Sequence, residues 1–375
     1  MKKKKILFLI HNLKIGGAQR SLIELVNSMD PNRFDITIAT IYNKLDLKGK
    51  IKDNVKIKSI IKTRNKFLER TFTYLVRKIV SPNWIYKRYL DDDYDYAVAF
   101  LEGLCTFLVS GCKNRKTKKI AWVHTDFRTL FCSNNVYKSL NHHKETYLTF
   151  DKIVCVSNAV QKGLCEKFSS DFDGKVVVCY NVIDDERIIL ESNQECNYSF
   201  NSSVLNFICI GNMRVEKAYP RLLKVAKQLV LSGRHFHITI IGAGSEYQKV
   251  KELLSNYNLE EYVSLLGNQE NPYKFLKHAD VFLQVSYAEG LSMTLIESII
   301  LEIPAIVTDC FGMREVLDNG KYGKIIENSE EALFDILSNV IDNPEIMDKY
   351  RSIVGERKEF FNKNKLTQAI CELFN

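Results

Sequence analysis

Residues 287–301 read YAEGLSMTLIESIIL, in which two carboxylates, Glu289 and Glu297, lie on either side of a turn-like start at Gly290. Paired acids first suggest acid–base chemistry. On one continuous helix, however, eight rises of about 1.5 Å put the two Cα atoms ~12 Å apart and ~80° apart around the axis. Hydrolytic carboxyl pairs stand about 5 to 9.5 Å apart, so a general acid/base pair fits poorly. The other reading splits the stretch: Glu289 and Gly290 sit in a loop after a strand, and a helix runs from about Ser292 to Ile303. Free amides at Leu291, Ser292, Met293 and Thr294 then suit phosphate oxygens, with the helix dipole behind them. Glu297, one turn in, can accept from vicinal hydroxyls such as those of a ribose. It also matches a capping box with Thr294, and both readings stay open.

Other groups extend this chemistry. GNMRVEK (211–217) places Arg214 and Lys217 in a loop after a strand, where two fixed cations can neutralise a diphosphate leaving group without a metal; read singly, they are ordinary surface residues. AWVHTDF leaves His124 just past a strand end, as a site residue or a satisfied structural histidine. Gly16 and Gly17 of IGG open a helix whose amides can meet an anionic or hydroxyl-rich ligand, or they form a plain tight turn. IIGAGSEY resembles half of a dinucleotide loop, but Tyr247 stands where the third glycine is needed and no acidic residue follows at the ribose position. A nicotinamide cofactor is therefore not expected. Ten cysteines are scattered without a CxxC or a metal-ligand spacing, and several lie inside apolar strands such as KIVCVS. They indicate a reducing cytoplasm rather than a disulfide framework, and no metal is expected.

These residues need strands that end at one edge and helices that begin there. Strand-like runs alternate with helical periods throughout, the pattern of a doubly wound parallel sheet. KKILFLI, DITIAT, VKIKSI, YAVAF, KIAWVH, KIVCVS and VVVCYN form a first set; NFICIGN, FHITIIGAG, VSLLG, VFLQVS and PAIVTD form a second. A chain of 375 residues exceeds one core, and the polar stretch 184–206 is the candidate linker. The expected division is 1–184 and 185–354, two Rossmann-like α/β domains facing across a cleft, with a last stretch, 355–375, that is helical by pattern. Leu22, Leu25, Val26 and Met29 mark the first helix by their apolar stripe. No apolar run reaches the ~18 to 20 residues of a membrane span, and Ile6 to Ile10 is too short for the ~7 to 15 residues of a signal peptide core.

Charge is divided unevenly. Residues 1–185 carry 33 Lys and Arg against 19 Asp and Glu, whereas the remainder carries 20 against 26. Segment 44–66 alone has nine basic and two acidic residues, a field that suits an anionic surface, or simply a solvated lysine-rich one. The stretch 67–90 adds aromatic residues at partly helical spacing, as on a helix resting on a membrane. No recognition helix, zinc spacing or stacking platform accompanies the basic half, so nucleic acid is not the expected partner.

Taken together, IGGAQ, WVHTD, DKIVCVSNAV, IGNMRVEK, IIGAGSE, the stretch from LLGNQENPYKFLKHAD to YAEGLSMTLIES, and PAIVTDCFGMREVL resemble the family 4 glycosyltransferases of GT-B fold over nearly the whole chain. The resemblance implies a retaining, metal-independent transferase that moves a hexose-type sugar from a UDP-sugar to a saccharide acceptor, lipid-linked, in bacterial surface polysaccharide assembly. Arg214 and Lys217 would grip the diphosphate, Glu289 the sugar hydroxyls and Glu297 the ribose. Amides of Gly290, Leu291, Ser292 and Met293 would meet sugar and phosphates, and Gly267, Asn268 and Tyr273 would border the base. His124 would approach the sugar, Gly16 and Gly17 the phosphate and acceptor, and the last helix, 355–375, would pack back on the first domain. The enzyme would work in the cytoplasm, peripheral to the membrane through its basic first half. Ala218, Gln19 and Ser292-Met293 depart from the common pattern. The alternatives are a nucleotide-sugar epimerase of the same shape and a nucleic-acid-binding protein.

Overall fold

The computed structural model describes residues 2–63, 65–78, 80–128, 136–170 and 172–375. The chain divides into two compact units, 1–183 with 363–375 and 184–362.

In the first unit, β1 (Lys4–Ile10), β2 (Phe34–Tyr42), β3 (Lys56–Ile61), β4 (Tyr96–Ala99), β5 (Lys118–Val123), β6 (Lys152–Cys155) and β7 (Val176–Val178) form one parallel sheet, ordered β3-β2-β1-β4-β5-β6-β7. Its helices are α1 (Gly17–Ser28), α2 (Lys66–Lys78), α3 (Pro82–Tyr89), α4 (Leu104–Ser110), α5 (Leu140–Leu148) and α6 (Asn158–Phe168). Residues Ile6 to Ile10 are all buried, as expected where helices cover both faces of a parallel sheet. The predicted stripe on α1 is buried at Leu22, Leu25, Val26 and Met29.

The second unit starts with α7 (Asp185–Ser192) and holds β8 (Leu205–Ile210), β9 (Phe236–Ile241), β10 (Val263–Gly267), β11 (Val281–Gln284), β12 (Ala305–Thr308) and β13 (Lys324–Ile326), all parallel in the order β10-β9-β8-β11-β12-β13. Its further helices are α8 (Tyr219–Leu231), α9 (Tyr247–Asn256), α10 (Tyr273–Leu276), α11 (Met293–Ile300), α12 (Phe311–Val316), α13 (Glu330–Asp342), α14 (Asp348–Arg351) and α15 (Val354–Lys358). Leu222, Val225 and Leu229 of α8 and Leu333 and Leu337 of α13 pack into one core with Ile238, Ile240, Leu283 and Ile306 of the sheet. Each fully buried side chain of this kind contributes about 1.5 to 3 kcal/mol of transfer free energy.

Three differences from the sequence reading have physical causes. The stretch 184–206 is not simply a linker: its first third is α7, capped by Asp184 and held by Asn271, whose Nδ2 donates to the Glu191 carbonyl at 2.7 Å. Strand β13 went unread because three residues are too few to show a period. The returning segment begins at 363, not 355, as α16 (Lys363–Cys371). Residues 355–362 belong with the second unit because Arg357 donates to the carbonyls of Glu315 and Val316, and Val354 and Phe361 are buried. Beyond α16, Phe374 meets Phe8, Phe34 and Tyr96 edge-on in the first unit.

Sheet order now locates the candidate sites. In each sheet the winding reverses between two central strands, β1 and β4 or β8 and β11, and loops leaving the carboxyl ends there diverge to form a crevice. Lys217 and Glu289 follow β8 and β11; Gly16 and Gly17 follow β1.

Candidate active site

Three strand-end loops of the second unit are laced together. Gly242, at φ 136°, lies so close to Gly211 that a Cβ would stand 1.9 Å from the Gly211 carbonyl oxygen. A Cβ on Gly244 would stand 2.4 Å from both Asn212 Oδ1 and the Met213 carbonyl oxygen. The amides of Met213 and Glu246 donate to the carbonyls of Ala243 and Met213 at 3.0 and 2.9 Å, and Gly242 N donates to Gly267 O at 2.7 Å. The glycines of IIGAG thus allow backbone to meet backbone.

The loop after β8 ends in a 3₁₀ turn, Val215–Lys217, closed by Ala218 at φ 54°. In this left-handed position a Cβ costs about 1 to 2 kcal/mol, a cost that a glycine would not carry. The turn carries Lys217 to Glu289, Nζ to Oε1 at 2.5 Å, with both side chains mostly buried. Gln284 Nε2 and the Ser286 hydroxyl donate to the same oxygen at 2.8 and 2.9 Å. Arg214 does not join this cluster. Its side chain is largely exposed, 3.8 Å from Glu216.

The loop after β11 is braced from below. Tyr287 N donates to the Glu216 carbonyl at 2.8 Å, joining it to the Lys217 turn. Buried Arg221 donates to Val285 O and to Asn328 Oδ1, and its guanidinium lies 4.5 Å from the Tyr287 ring centroid. The Ser286 carbonyl accepts from Thr308 Oγ1 at 2.7 Å, Asn328 Nδ2 at 3.2 Å and Cys310 Sγ at 3.3 Å. Burial pushes the Cys310 thiol up to about 12, which keeps it a donor. Gly312 closes the brace, since a Cβ there would stand 2.4 Å from the Gly290 oxygen. Arg221, Asn328, Gly312 and Gln284 were not singled out from sequence. Only Arg221 left a readable signal, as an arginine among the apolar residues of α8.

Helix α11 begins at Met293, and Ser292 is its N-cap, accepting from Leu295 N at 3.2 Å. The capping-box reading of Thr294 and Glu297 therefore falls away, because the cap stands two residues earlier. Thr294 Oγ1 lies 3.4 Å from the Ser292 hydroxyl. Glu297 is buried and accepts from Tyr273 OH at 3.1 Å. The two glutamates have different partners, so they form no acid/base pair. Gly267, at φ 65°, ends β10; Asn268 is exposed, and Leu291 is buried beside Gly290.

In the first unit, Gly16 caps α1 through its backbone, accepting from Arg20 N at 3.0 Å, and Gln19 folds its amide back over Gly16. Space beside Gly17 is open. His124 follows β5; its ring lies 4.9 Å from that of Phe100 and hydrogen bonds to the Phe100 carbonyl. Burial lowers its pKa to about 3, so the imidazole is neutral. Its Nε2 is shielded from solvent, with no hydrogen-bond partner among the described residues. Glu102, which sequence reading also missed, receives the N–H groups of His124 and Thr125 on Oε1 at 2.5 and 2.6 Å and holds that loop. Burial raises the Glu102 carboxyl above its ordinary value. Among the described residues, no group of three or more His, Cys, Asp or Glu could hold a metal ion.

Both units match known families. Residues 15–187 match the Glycosyltransferase Family 4 model and residues 197–358 the model of Glycosyl transferases group 1. An uncharacterized glycosyltransferase of Haemophilus influenzae is 22% identical over 92% of each chain. The Campylobacter jejuni N-acetylgalactosamine-N,N'-diacetylbacillosaminyl-diphospho-undecaprenol 4-alpha-N-acetylgalactosaminyltransferase is 25% identical over 68% of each. Anabaena HepE, crystallised in complex with UDP and glucose, shares the fold at a TM-score of 0.75 and 16% identity over 99% of each chain. With both of its units accounted for in this way, the chain belongs to the family 4 glycosyltransferases and carries their two-domain GT-B fold.

Proposed function

We propose that this glycosyltransferase transfers a hexose-type sugar, with retention of anomeric configuration, from a UDP-sugar to a hydroxyl of a lipid-linked saccharide in bacterial surface polysaccharide assembly. The observation that carries the reading is the Lys217–Glu289 pair between the β8 and β11 loops, beside the N-terminus of α11. Lys217 and the exposed Arg214 offset charge on the departing diphosphate, assisted by amides from Gly290 to Thr294. The sugar C1–phosphate oxygen bond breaks as the acceptor oxygen bonds C1 on the same face, and the acceptor proton passes to the leaving phosphate. Glu289 accepts from sugar hydroxyls, Glu297 from the ribose, and the neutral His124 approaches the transferred sugar. Gly267, Asn268 and Tyr273 border the base, and Gly16 and Gly17 meet the acceptor. No metal is required, because these fixed charges and dipoles do its work.

The lipid-linked acceptor is supported by the name of the Campylobacter relative, a diphospho-undecaprenol substrate, and the UDP donor by the ligand of Anabaena HepE. Membrane contact is supported by α2 and α3, which turn Phe67, Leu68, Tyr74, Leu75, Trp84 and Tyr89 outward. Phe67 is 74% exposed, and an apolar face turned to solvent suits an interfacial helix. Arg64 and Ile79 of these stretches lie outside the described residues.

A panel of sugar nucleotides, incubated in EDTA with a lipid-linked acceptor extract and read by nucleotide release and product mass, tests the reading. UDP release that depends on acceptor is expected. An isomerised sugar nucleotide formed without acceptor would point to an epimerase, and loss of turnover in EDTA would remove the metal-independent mechanism.

A further inference from the structure

We infer that Gln284 is a positioning residue for the transferred sugar: it couples the N-cap of α11 to Glu289 and, with Ser292, fixes which carboxylate oxygen the sugar meets. This rests on the donor-site reading above. Gln284 ends β11 and is buried beneath the loop it precedes.

The direction of each hydrogen bond follows from a proton count. The Ser292 hydroxyl has one proton and already accepts from Leu295 N at 3.2 Å. Its own proton goes to Gln284 Oε1 at 2.6 Å, much closer than Thr294 Oγ1 at 3.4 Å. That bond orients the amide, so Nε2 must face Glu289 Oε1 at 2.8 Å and Ser286 Oγ at 3.3 Å. Glu289 Oε1 then receives Lys217, Gln284 and Ser286 together, which leaves that oxygen no room for a further donor. Oε2 makes no hydrogen bond among the described residues and is the oxygen left for a sugar hydroxyl. A residue without a side-chain hydroxyl at 292 frees the amide to turn, and the carboxylate loses its fixed orientation. Ser292 therefore acts on the sugar through Gln284 and Glu289, not only through its backbone amide.

The test compares Gln284→Leu, Ser292→Ala, their combination and Ser292→Thr, each assayed for turnover, donor KM, thermal midpoint and affinity for UDP alone. Each single variant should lower kcat roughly tenfold or more, the range expected for a lost hydrogen bond to a charged group, with UDP affinity within about twofold of wild type. The double variant should lose no more than the worse single one, since both break one relay. Ser292→Thr, which keeps the hydroxyl, should recover most of the turnover that Ser292→Ala loses. Gln284→Leu leaves the helix cap in place, so a kcat loss there is not a capping effect. Multiplicative losses in the double variant, or UDP affinity falling in step with kcat, would overturn the relay. If wild type itself releases no UDP from any sugar nucleotide, the donor-site reading fails instead.

Discussion

At the scale of single residues, the carboxylates divide by partner. Glu289 is held by a cation, an amide and a hydroxyl, whereas Glu297 meets a tyrosine from inside α11. Glu289→Ala should cost turnover by about 10²- to 10³-fold with UDP affinity nearly intact, as for other preorganised polar groups. Glu297→Ala should instead weaken UDP binding, measured by calorimetry; equal effects in both assays would refute the division. The buried histidines supply a pH signature. Burial lowers both His124 and His143 to about 3, against about 6.5 in an unfolded chain. Below pH 6.5 the unfolded chain takes up protons that the folded one refuses. The stability from each neutral histidine is thus complete above that pH and lost as pH falls, by about 2 kcal/mol at pH 5. His143, stacked on Tyr137 at 3.8 Å, is the cleaner probe. Denaturant midpoints between pH 7 and 5 should fall less steeply in His143→Phe than in wild type, and an unchanged slope would show that His143 titrates normally.

At the scale of elements, close backbone contacts hold the site loops, and glycine permits them. Gly312 of α12 touches the Gly290 carbonyl, and Gly242 touches that of Gly211. Gly312→Ala should force α12 away from the loop that carries Glu289, lowering kcat at least tenfold while the fold survives; a 1 Å misplacement can cost about 10²-fold. Unchanged turnover with a normal circular dichroism spectrum would show that the brace is dispensable. The strand and helix periods made most elements readable in sequence, including the split of YAEGLSMTLIES into loop and helix. Three things were not readable: the three-residue strand β13, helix α7 within a polar stretch, and the start of the returning segment at 363. In each case tertiary packing of a short or polar segment decides the outcome, and local pattern does not carry it.

At the scale of the whole molecule, charge and apolar exposure both mark the first unit. Residues 1–185 hold the basic excess, and α2 and α3 of that unit show aromatic side chains to solvent. Co-sedimentation with anionic vesicles at low salt should fall when Phe67→Asp and Trp84→Ala are combined, and should weaken as ionic strength shortens the ~10 Å Debye length. Binding that ignores both changes would remove the membrane surface from α2 and α3. The sequence alone was sufficient for two parallel α/β units and for the family, because periodicity and motif spacing are local properties. Only the tertiary structure decided that Lys217, not Arg214, pairs with Glu289, that Ser292 and not Thr294 caps α11, and that Arg221, Asn328, Gly312, Gln284 and Glu102 hold the site loops. Those contacts join positions up to about a hundred residues apart, as Arg221 joins Asn328, and no local pattern encodes a partner at that distance.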